Sequence, residues 1–262
     1  MGTSSNPQSV PARRDNLQSS HRSPQSTPIK PRTLVTLCTY NERENLPELI
    51  AAIHEVDLSL EVLVIDDNSP DGTGEIADKL AAADARVHVL HRPGKLGLGT
   101  ATMAGMLYAI EHGYDFVLNM DADFSHHPRH IPALLAGMAE HDVMIGSRYV
   151  SGGDVPGWPL RRRLVSRAIN TYARLLLRVP ARDTSGAFRC YRVASLGRVD
   201  FARVISRGYS FQEEILFWCH RAGCRLGETP IIFEDRRRGQ SKINWSEALA
   251  ALGIILRLGI RR

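Results

Sequence analysis

Short apolar runs at 33–38, 61–66, 87–90 and 143–146, and one that opens the stretch 115–123, alternate with helix-like stretches. The helical spacing is plainest at 45–53, where Leu46, Leu49, Ile50 and Ile53 recur behind a candidate N-cap, Asn45. Helices are also expected at 73–83, 97–111 and 128–141. Strand-sized runs alternating with helices indicate βαβ units, hence a mostly parallel sheet with right-handed crossovers. In such a sheet the strand ends share one edge. The residues just past the runs are Tyr40 and Glu42, Asp66 and Asp67, Asp121 and Asp123, and Arg148. Polar chemistry is thus gathered where open α/β sheets bind ligands.

Asp121 and Asp123 are the most informative of these. The run before them, bounded by Gly113 and Pro128, reads as a buried strand. Where the chain turns at its end, period-two alternation is lost and both carboxylates can face one point. Two hard oxygen ligands there suit Mg²⁺ or Mn²⁺ that also holds a diphosphate. An isolated Asp-x-Asp is as readily a solvated turn. The other polar strand ends favour a site.

With 262 residues, 43% of them hydrophobic, the chain can bury one sizeable core. The formal charge of +5 is uneven: residues 1–32 hold Arg13, Arg14, Arg22, Lys30 and Arg32 against Asp15 alone. The remainder of the chain is near neutral and has no basic stripe interleaved with aromatics, so nothing points to nucleic acid. The first 32 residues, rich in Ser, Pro, Gln and Arg, lack hydrophobic periodicity and are expected to be disordered. Cys38, Cys190, Cys219 and Cys224 form no Cys-x-x-Cys and read as thiols in a reducing cytosol. No N-terminal segment reads as a signal peptide, and no apolar run reaches the roughly 18 residues of a spanning helix.

The second half is less regular. A Gly/Pro loop at 151–159 leads to a long basic helix at 160–178 carrying Arg161, Arg162, Arg163, Arg167 and Arg174. A turn at 183–189 feeds a strand, 211–222 is helical, and 228–233 is a strand whose Pro230 suggests an edge position. A basic loop at 235–242 precedes an apolar helix at 246–260. Gly97 and Gly99 begin a dinucleotide fingerprint, but Thr102 stands where its last small residue belongs. His126 and His127 read as loop histidines, because sequence neighbours rarely share an ion without a third ligand. The triplets Arg161–Arg163 and Arg236–Arg238 follow Gly-containing loops and are candidate phosphate contacts.

Taken together, several blocks resemble dolichol/polyprenol phosphate mannose synthases of glycosyltransferase family 2. They are Thr39-Tyr-Asn-Glu42, Asp66-Asp-Asn-Ser-Pro-Asp-Gly-Thr73, Asp121-Ala-Asp-Phe-Ser-His-His-Pro128 and Gly146-Ser-Arg-Tyr149. Gly157-Trp158 with Arg161 to Arg163, Ser185-Gly-Ala-Phe-Arg189, Gly208-Tyr-Ser-Phe-Gln-Glu213, and Asp235-Arg236 with Gly239-Gln-Ser-Lys242 continue in the family's order. The likeness runs from about residue 33 to the C-terminus. The chain departs at Cys38, where many members have Pro, and at Cys190, where an aliphatic residue is usual. Some members have Gln in place of Ser125.

The resemblance implies a GT-A (nucleotide-diphospho-sugar transferase) fold over 33–262: a Rossmann-like, mostly parallel sheet flanked by helices. It implies that Tyr40, Glu42 and Asp66 hold the guanosine of GDP-mannose. Asp121 and Asp123 would hold Mg²⁺ or Mn²⁺ against the diphosphate, with Ala122 and Ser125 also lining the nucleotide-sugar site. Arg236 and Lys242 would close over the donor. Arg148 and Arg162 would bind the acceptor phosphate, and Gln212 and Glu213 would lie near the sugar. The implied reaction moves mannose to a dolichyl or polyprenyl monophosphate with inversion, at the cytoplasmic face of a membrane or on a small membrane subunit. Alternatives are a related transferase using UDP-glucose or another donor, and a catalytically silent nucleotide-sugar-binding subunit. The apolar face of the last helix, Leu249, Leu252, Ile255, Leu256 and Ile260 beside Arg257, Arg261 and Arg262, suits either a membrane surface or the core.

Overall fold

The computed structural model describes residues 1–3, 30–235 and 245–260. The chain divides into Met1–Lys30 and Pro31–Arg262, and every described strand and helix lies in the second unit. Most of the expected disordered segment, and the loop carrying Arg236 and Lys242, fall outside the described residues.

Seven described strands form one sheet: β1 (Thr33–Thr39), β2 (Glu61–Asp66), β3 (Val87–His91), β4 (Phe116–Asp121), β5 (Val143–Ser147), β6 (Arg189–Arg192) and β7 (Leu226–Pro230). Their order is β3-β2-β1-β4-β6-β5-β7. Every pair is parallel except those of β6, which runs antiparallel to β4 and β5. The helices are α1 (Leu46–Val56), α2 (Thr73–Ala83), α3 (Leu98–Glu111), α4 (Ile131–Gly137), α5 (Leu160–Leu177), α6 (Val193–Leu196), α7 (Phe211–Arg221) and α8 (Trp245–Ile260). The sheet is thus mostly parallel, as the alternation implied, and β7 with Pro230 forms an edge.

Side-chain alternation explains why the runs are apolar throughout. Val35, Leu37, Val62 and Val64 join one core with Leu46, Leu49 and Ile53 of α1. Their neighbours Leu34, Leu63 and Ile65 join a second core, with Met106 of α3, Phe211 and Ile215 of α7, and Ile255 and Leu258 of α8. A sheet covered on both faces needs apolar residues at both parities. Cys190, Cys219 and Cys224 are buried and Cys38 half-buried, all four as free thiols.

Three expectations change. Asn45 precedes α1 but does not cap it with its side chain. The amides of Asn45 and Leu46 already bond the Glu42 carbonyl, so Asn45 lies in the helical region, and its amide donates to Glu42 Oε2 at 2.8 Å. The helix expected at 128–141 is a short 3₁₀ turn, Pro128–His130, followed by α4. Past Gly137 the chain tightens into three-residue turns, with Ala139 and Glu140 bonding the carbonyls of Ala136 and Gly137. The apolar face expected on the last helix is divided: Ile255 and Leu258 are core, whereas Leu256 and Ile260 are exposed. Side chains before Ala251 in this helix, Leu249 included, lie outside the described residues.

Gly97 and Gly99 serve close packing, not a dinucleotide turn. The Gly99 amide donates to the Arg207 carbonyl at 2.9 Å. A Cβ on Gly99 would stand 2.6 Å from Phe211 Cβ and 3.0 Å from the Gly208 carbonyl oxygen. The start of α3 is thereby held against the start of α7. Gly99→Val forces these two ends apart and is expected to destabilise the fold by about 1–3 kcal/mol, the usual cost of overpacking. Denaturant melting checks this, and an unchanged midpoint would contradict the packing argument.

Candidate active site

Strand order reverses between β1 and β4: successive strands are added outward from β1 to β3, and then β4 is laid on the other side of β1. Such a switch point opens a crevice at the carboxyl ends of the two strands. A cavity of about 180 Å³ occupies it, lined by Tyr40 and Glu42 past β1, Asp67 past β2, Asp121 and Asp123 past β4, and Lys95 before α3. Lys95 Nζ lies 4.7 Å from the centre of the Tyr40 ring.

Each of the three strand ends bends through a left-handed residue other than glycine: Asn41, Asn68 and Phe124, at φ of 60°, 55° and 64°. Asn tolerates this conformation, whereas Phe carries a real steric cost. The bend at Phe124 folds Ser125 back onto Asp123, whose Oδ1 accepts from the Ser125 amide at 3.0 Å and its hydroxyl at 2.6 Å. Behind Asp121, His126 is 2% exposed. Its Nδ1 accepts the Asp121 amide at 3.0 Å, and its ring stacks on Phe188. Burial lowers the His126 pKa to about 4, so the ring is neutral and an acceptor. It lies in the loop after β4, as expected, but is buried there and supports Asp121 from within.

Asp67 lines the first cavity, whereas Asp66, expected at the nucleotide, does not. Asp66 points into the β2–α2 turn, where Oδ1 accepts from Thr39 Oγ1 at 3.0 Å and Ser69 Oγ at 2.5 Å. Asp67 lines the cavity and pairs with Arg92 at 2.9 Å. Burial raises its pKa, with Arg92 opposing.

A second cavity, about 270 Å³, adjoins the first. Leu98, Asp121, Asp123 and Tyr209 line both. The second adds Arg148, Arg162, Trp158, Ser185 and Gln212. Arg148, past β5, is clamped by Asp183: its Nε and one terminal nitrogen reach the two carboxylate oxygens at 2.8 and 2.7 Å, and the latter nitrogen also donates to Ser185 Oγ at 2.9 Å. Burial works to raise the Asp183 carboxyl, but Arg148 beside it holds it below the ordinary range. Arg162 lies 3.7 Å over the Trp158 ring and reaches Asp235 Oδ1 at 3.4 Å, with nearly half its side chain exposed. The structure thus brings Tyr40, Glu42, Asp121, Ala122, Asp123, Ser125, Arg148, Arg162 and Gln212 to two adjoining cavities and leaves Asp66 behind the wall.

The wall of the second cavity rests on residues such as Asn170, Glu228 and Arg189, to which the sequence assigned no role. Asn170 of α5 accepts from the amides of Thr184 and Ser185 at 2.8 and 3.1 Å. Glu228 of β7 accepts from the amides of Arg182 and Asp183. Arg189, fully buried, donates to the Thr184 and Gln212 carbonyls, each at 2.6 Å. Glu214 clamps the loop before α7 by accepting the amides of Ile205 and Ser206. Glu213, one residue earlier, is buried and lines neither cavity, and burial raises its pKa to about 7. Gln212 is 2% exposed, and neither its Nε2 nor its Oε1 has a hydrogen-bond partner among the described residues. Leaving a buried polar group unpaired costs about 1–3 kcal/mol. Only the three-dimensional arrangement separates these roles; Gln212, Glu213 and Glu214 are consecutive and similar in sequence.

Comparison with known proteins agrees with this architecture. The family described as "Glycosyl transferase family 2" matches residues 34–199. A polyprenol monophosphomannose synthase of Mycolicibacterium smegmatis is 43% identical over 97% of this chain and 96% of its own length. An undecaprenyl-phosphate mannosyltransferase of Micrococcus luteus is 41% identical over 87% of this chain and 94% of its own. Among solved structures, glucosyl-3-phosphoglycerate synthase of Mycobacterium tuberculosis, in complex with Mn²⁺, UDP and glucosyl-3-phosphoglycerate, superposes with a TM-score of 0.60. That match has 20% identity and covers 87% of this chain and 78% of that one. The fold is GT-A, and the chain belongs to glycosyltransferase family 2.

Proposed function

We propose that the protein transfers mannose from GDP-mannose to a polyprenyl or dolichyl monophosphate, with inversion. The observation that carries this reading is the pair of adjoining cavities sharing Asp121 and Asp123, one at the switch point and one walled by Arg148 and Arg162. The mannosyltransferase names of the two relatives support the sugar and the acceptor class. In this reading the nucleotide fills the first cavity, with Tyr40, Glu42 and Asp67 around it. Arg236 and Lys242, which would close over the donor in this reading, lie outside the described residues.

Asp121 and Asp123 fit a divalent ion. Both are hard oxygen donors at the junction of the cavities, and the neighbouring His126 is turned away as an acceptor for a backbone amide. Bound there, Mg²⁺ or Mn²⁺ would neutralise charge on the diphosphate leaving group. The chain's own groups do the rest. Arg148 and Arg162 draw the acceptor phosphate to the junction by charge-assisted hydrogen bonds. Asp183 holds Arg148 in a fixed orientation, so little reorganisation is needed when the anion arrives. A phosphate monoester has a second pKa of about 6, so its oxygen is already largely anionic at neutral pH. Direct attack on the anomeric carbon needs no strong base, consistent with Glu213 standing outside both cavities. One displacement inverts the anomeric centre and gives a β-mannosyl phosphate.

A lipid acceptor requires a membrane surface, and no helix among the described residues is long and apolar enough to span one. On α5, Leu160, Leu164 and Leu175 are exposed, flanked by exposed Arg161, Arg167 and Arg174. Helix α8 packs on α5, with Gly259 against Leu176, and exposes Leu256, Arg257 and Ile260. Apolar side chains bordered by arginines suit the headgroup region of an anionic bilayer. In this reading α8 serves core and membrane at once.

The defining experiment incubates the protein with lipid phosphate and radiolabelled GDP-mannose or UDP-glucose, and identifies the product anomer by NMR. Mannose transfer giving the β anomer is expected. An α product, preference for UDP-glucose, or no transfer from either donor would each overturn the reading. Asp123→Asn, which keeps an acceptor for Ser125, should lose at least about a hundredfold in rate at an unchanged melting temperature. Arg162→Ala is expected to raise KM for the lipid phosphate about tenfold while changing KM for GDP-mannose less than twofold. Equal effects on both substrates would remove Arg162 from the acceptor site. Replacing Leu164 and Leu175 by Glu should abolish co-sedimentation with phosphatidylglycerol vesicles yet leave transfer to a short, water-soluble acceptor intact. Unchanged co-sedimentation would place the membrane surface elsewhere.

A further inference from the structure

The unpaired amide of Gln212 points to a specific ligand chemistry. Gln212 is the second residue of α7, its main-chain amide donates to the Tyr209 carbonyl, and its main-chain carbonyl is fixed by Arg189 at 2.6 Å. The residue lines the second cavity together with Asp121, Asp123, Arg148 and Ser185. Neither Nε2 nor Oε1 is bonded among the described residues, although the protein buries the residue almost entirely. A buried polar group left without a partner in a native fold calls for an explanation.

The rest of the cavity discriminates between ligand types. Arg148 and Arg162 supply cationic donors, as a phosphate requires. The Gln212 amide is neutral and presents a donor and an acceptor side by side. Its carbonyl oxygen would repel a phosphate oxygen but accepts a hydroxyl proton, while its NH₂ donates to a hydroxyl oxygen. Two neighbouring hydroxyls of a pyranose supply this complementary pair. Gln212 shares this cavity with the Asp121–Asp123 corner, where a donor diphosphate would sit, and with the arginines that would hold an acceptor phosphate. We infer that Gln212 binds two adjacent hydroxyl groups of the hexose being transferred and thereby selects the sugar. This rests on the glycosyl-transfer reading, and it deepens that reading by assigning sugar selection to one side chain. Arg189 is then a positioning residue, since it tethers the backbone of Gln212 to the 183–186 turn that also holds Arg148.

The test is Gln212→Met, which keeps the approximate volume and removes both unpaired polar atoms. Removing orphaned polar atoms predicts a melting temperature unchanged or raised, whereas kcat/KM for GDP-mannose is expected to fall at least about tenfold. Donors lacking single mannose hydroxyls identify the contacted pair. The wild type should lose activity with those two deoxy donors, and Gln212→Met should lose nothing further with them. For the remaining deoxy donors the two losses should multiply. Calorimetry adds a second readout: the affinity gained by GDP-mannose over GDP should shrink in the variant, with GDP binding unchanged. Losses that multiply for every deoxy donor, an unchanged kcat/KM, or an equal weakening of GDP would overturn the assignment. A wild type that transfers no mannose would overturn the glycosyl-transfer reading itself, and with it this inference.

Discussion

Burial of both faces of a parallel sheet is the constraint on which the molecule depends. Once Val35, Leu37, Val62 and Val64 face α1 and α4, and Leu34, Leu63 and Ile65 face α3 and α7, the strands have no side on which to carry polar chemistry. The ends are what remain. Because β1, β2, β4 and β5 are parallel to one another, their carboxyl ends share an edge, and the reversal of strand order at β1 and β4 opens it. Tyr40, Asp67, Asp121 and Asp123 are functional candidates because this edge is where polar and charged side chains can meet a ligand without disturbing a core.

The antiparallel strand β6 has a different part. It separates β4 from β5, and so separates the Asp121–Asp123 corner from Arg148 by one intervening strand. Two strand spacings of about 4.8 Å each leave room for a second cavity between them. Arg189, the first residue of β6, is buried and ties the 183–186 turn to α7. A buried guanidinium with carbonyl partners is an expensive way to fill space. It orients neighbours on both sides, and the fixed pair of Asp183 and Arg148 shows the same economy of motion. Pre-set charges of this kind cost stability in the resting protein and spare reorganisation when charge develops.

Much of the architecture was readable from residue pattern. The strands, the parallel sense, the edge position of Pro230 and the convergence at Asp121 and Asp123 follow from apolar periodicity and turn chemistry, which are local. Asn45 shows where the local argument stops. Its type fits an N-cap, yet a preceding helical turn at Glu42 had already consumed that role. Asp66 and Asp67 show it again. Adjacent in sequence, they point opposite ways because one closes a turn with Thr39 and Ser69 while the other pairs across to Arg92.

By itself the sequence determined the βαβ framework, the edge on which polar residues gather and the family resemblance, because these depend on spacing within one segment. Only the tertiary structure decided which side chains are spent on holding the fold and which face a cavity. Asp183 and Arg148 meet across 35 residues and Glu228 and Asp183 across 45. Gln212, Glu213 and Glu214 differ only in what the folded chain places opposite each: a cavity, the protein interior, and the amides of Ile205 and Ser206. A hydrogen-bond partner far away in sequence leaves no periodicity to read, so its identity is set when the layers pack.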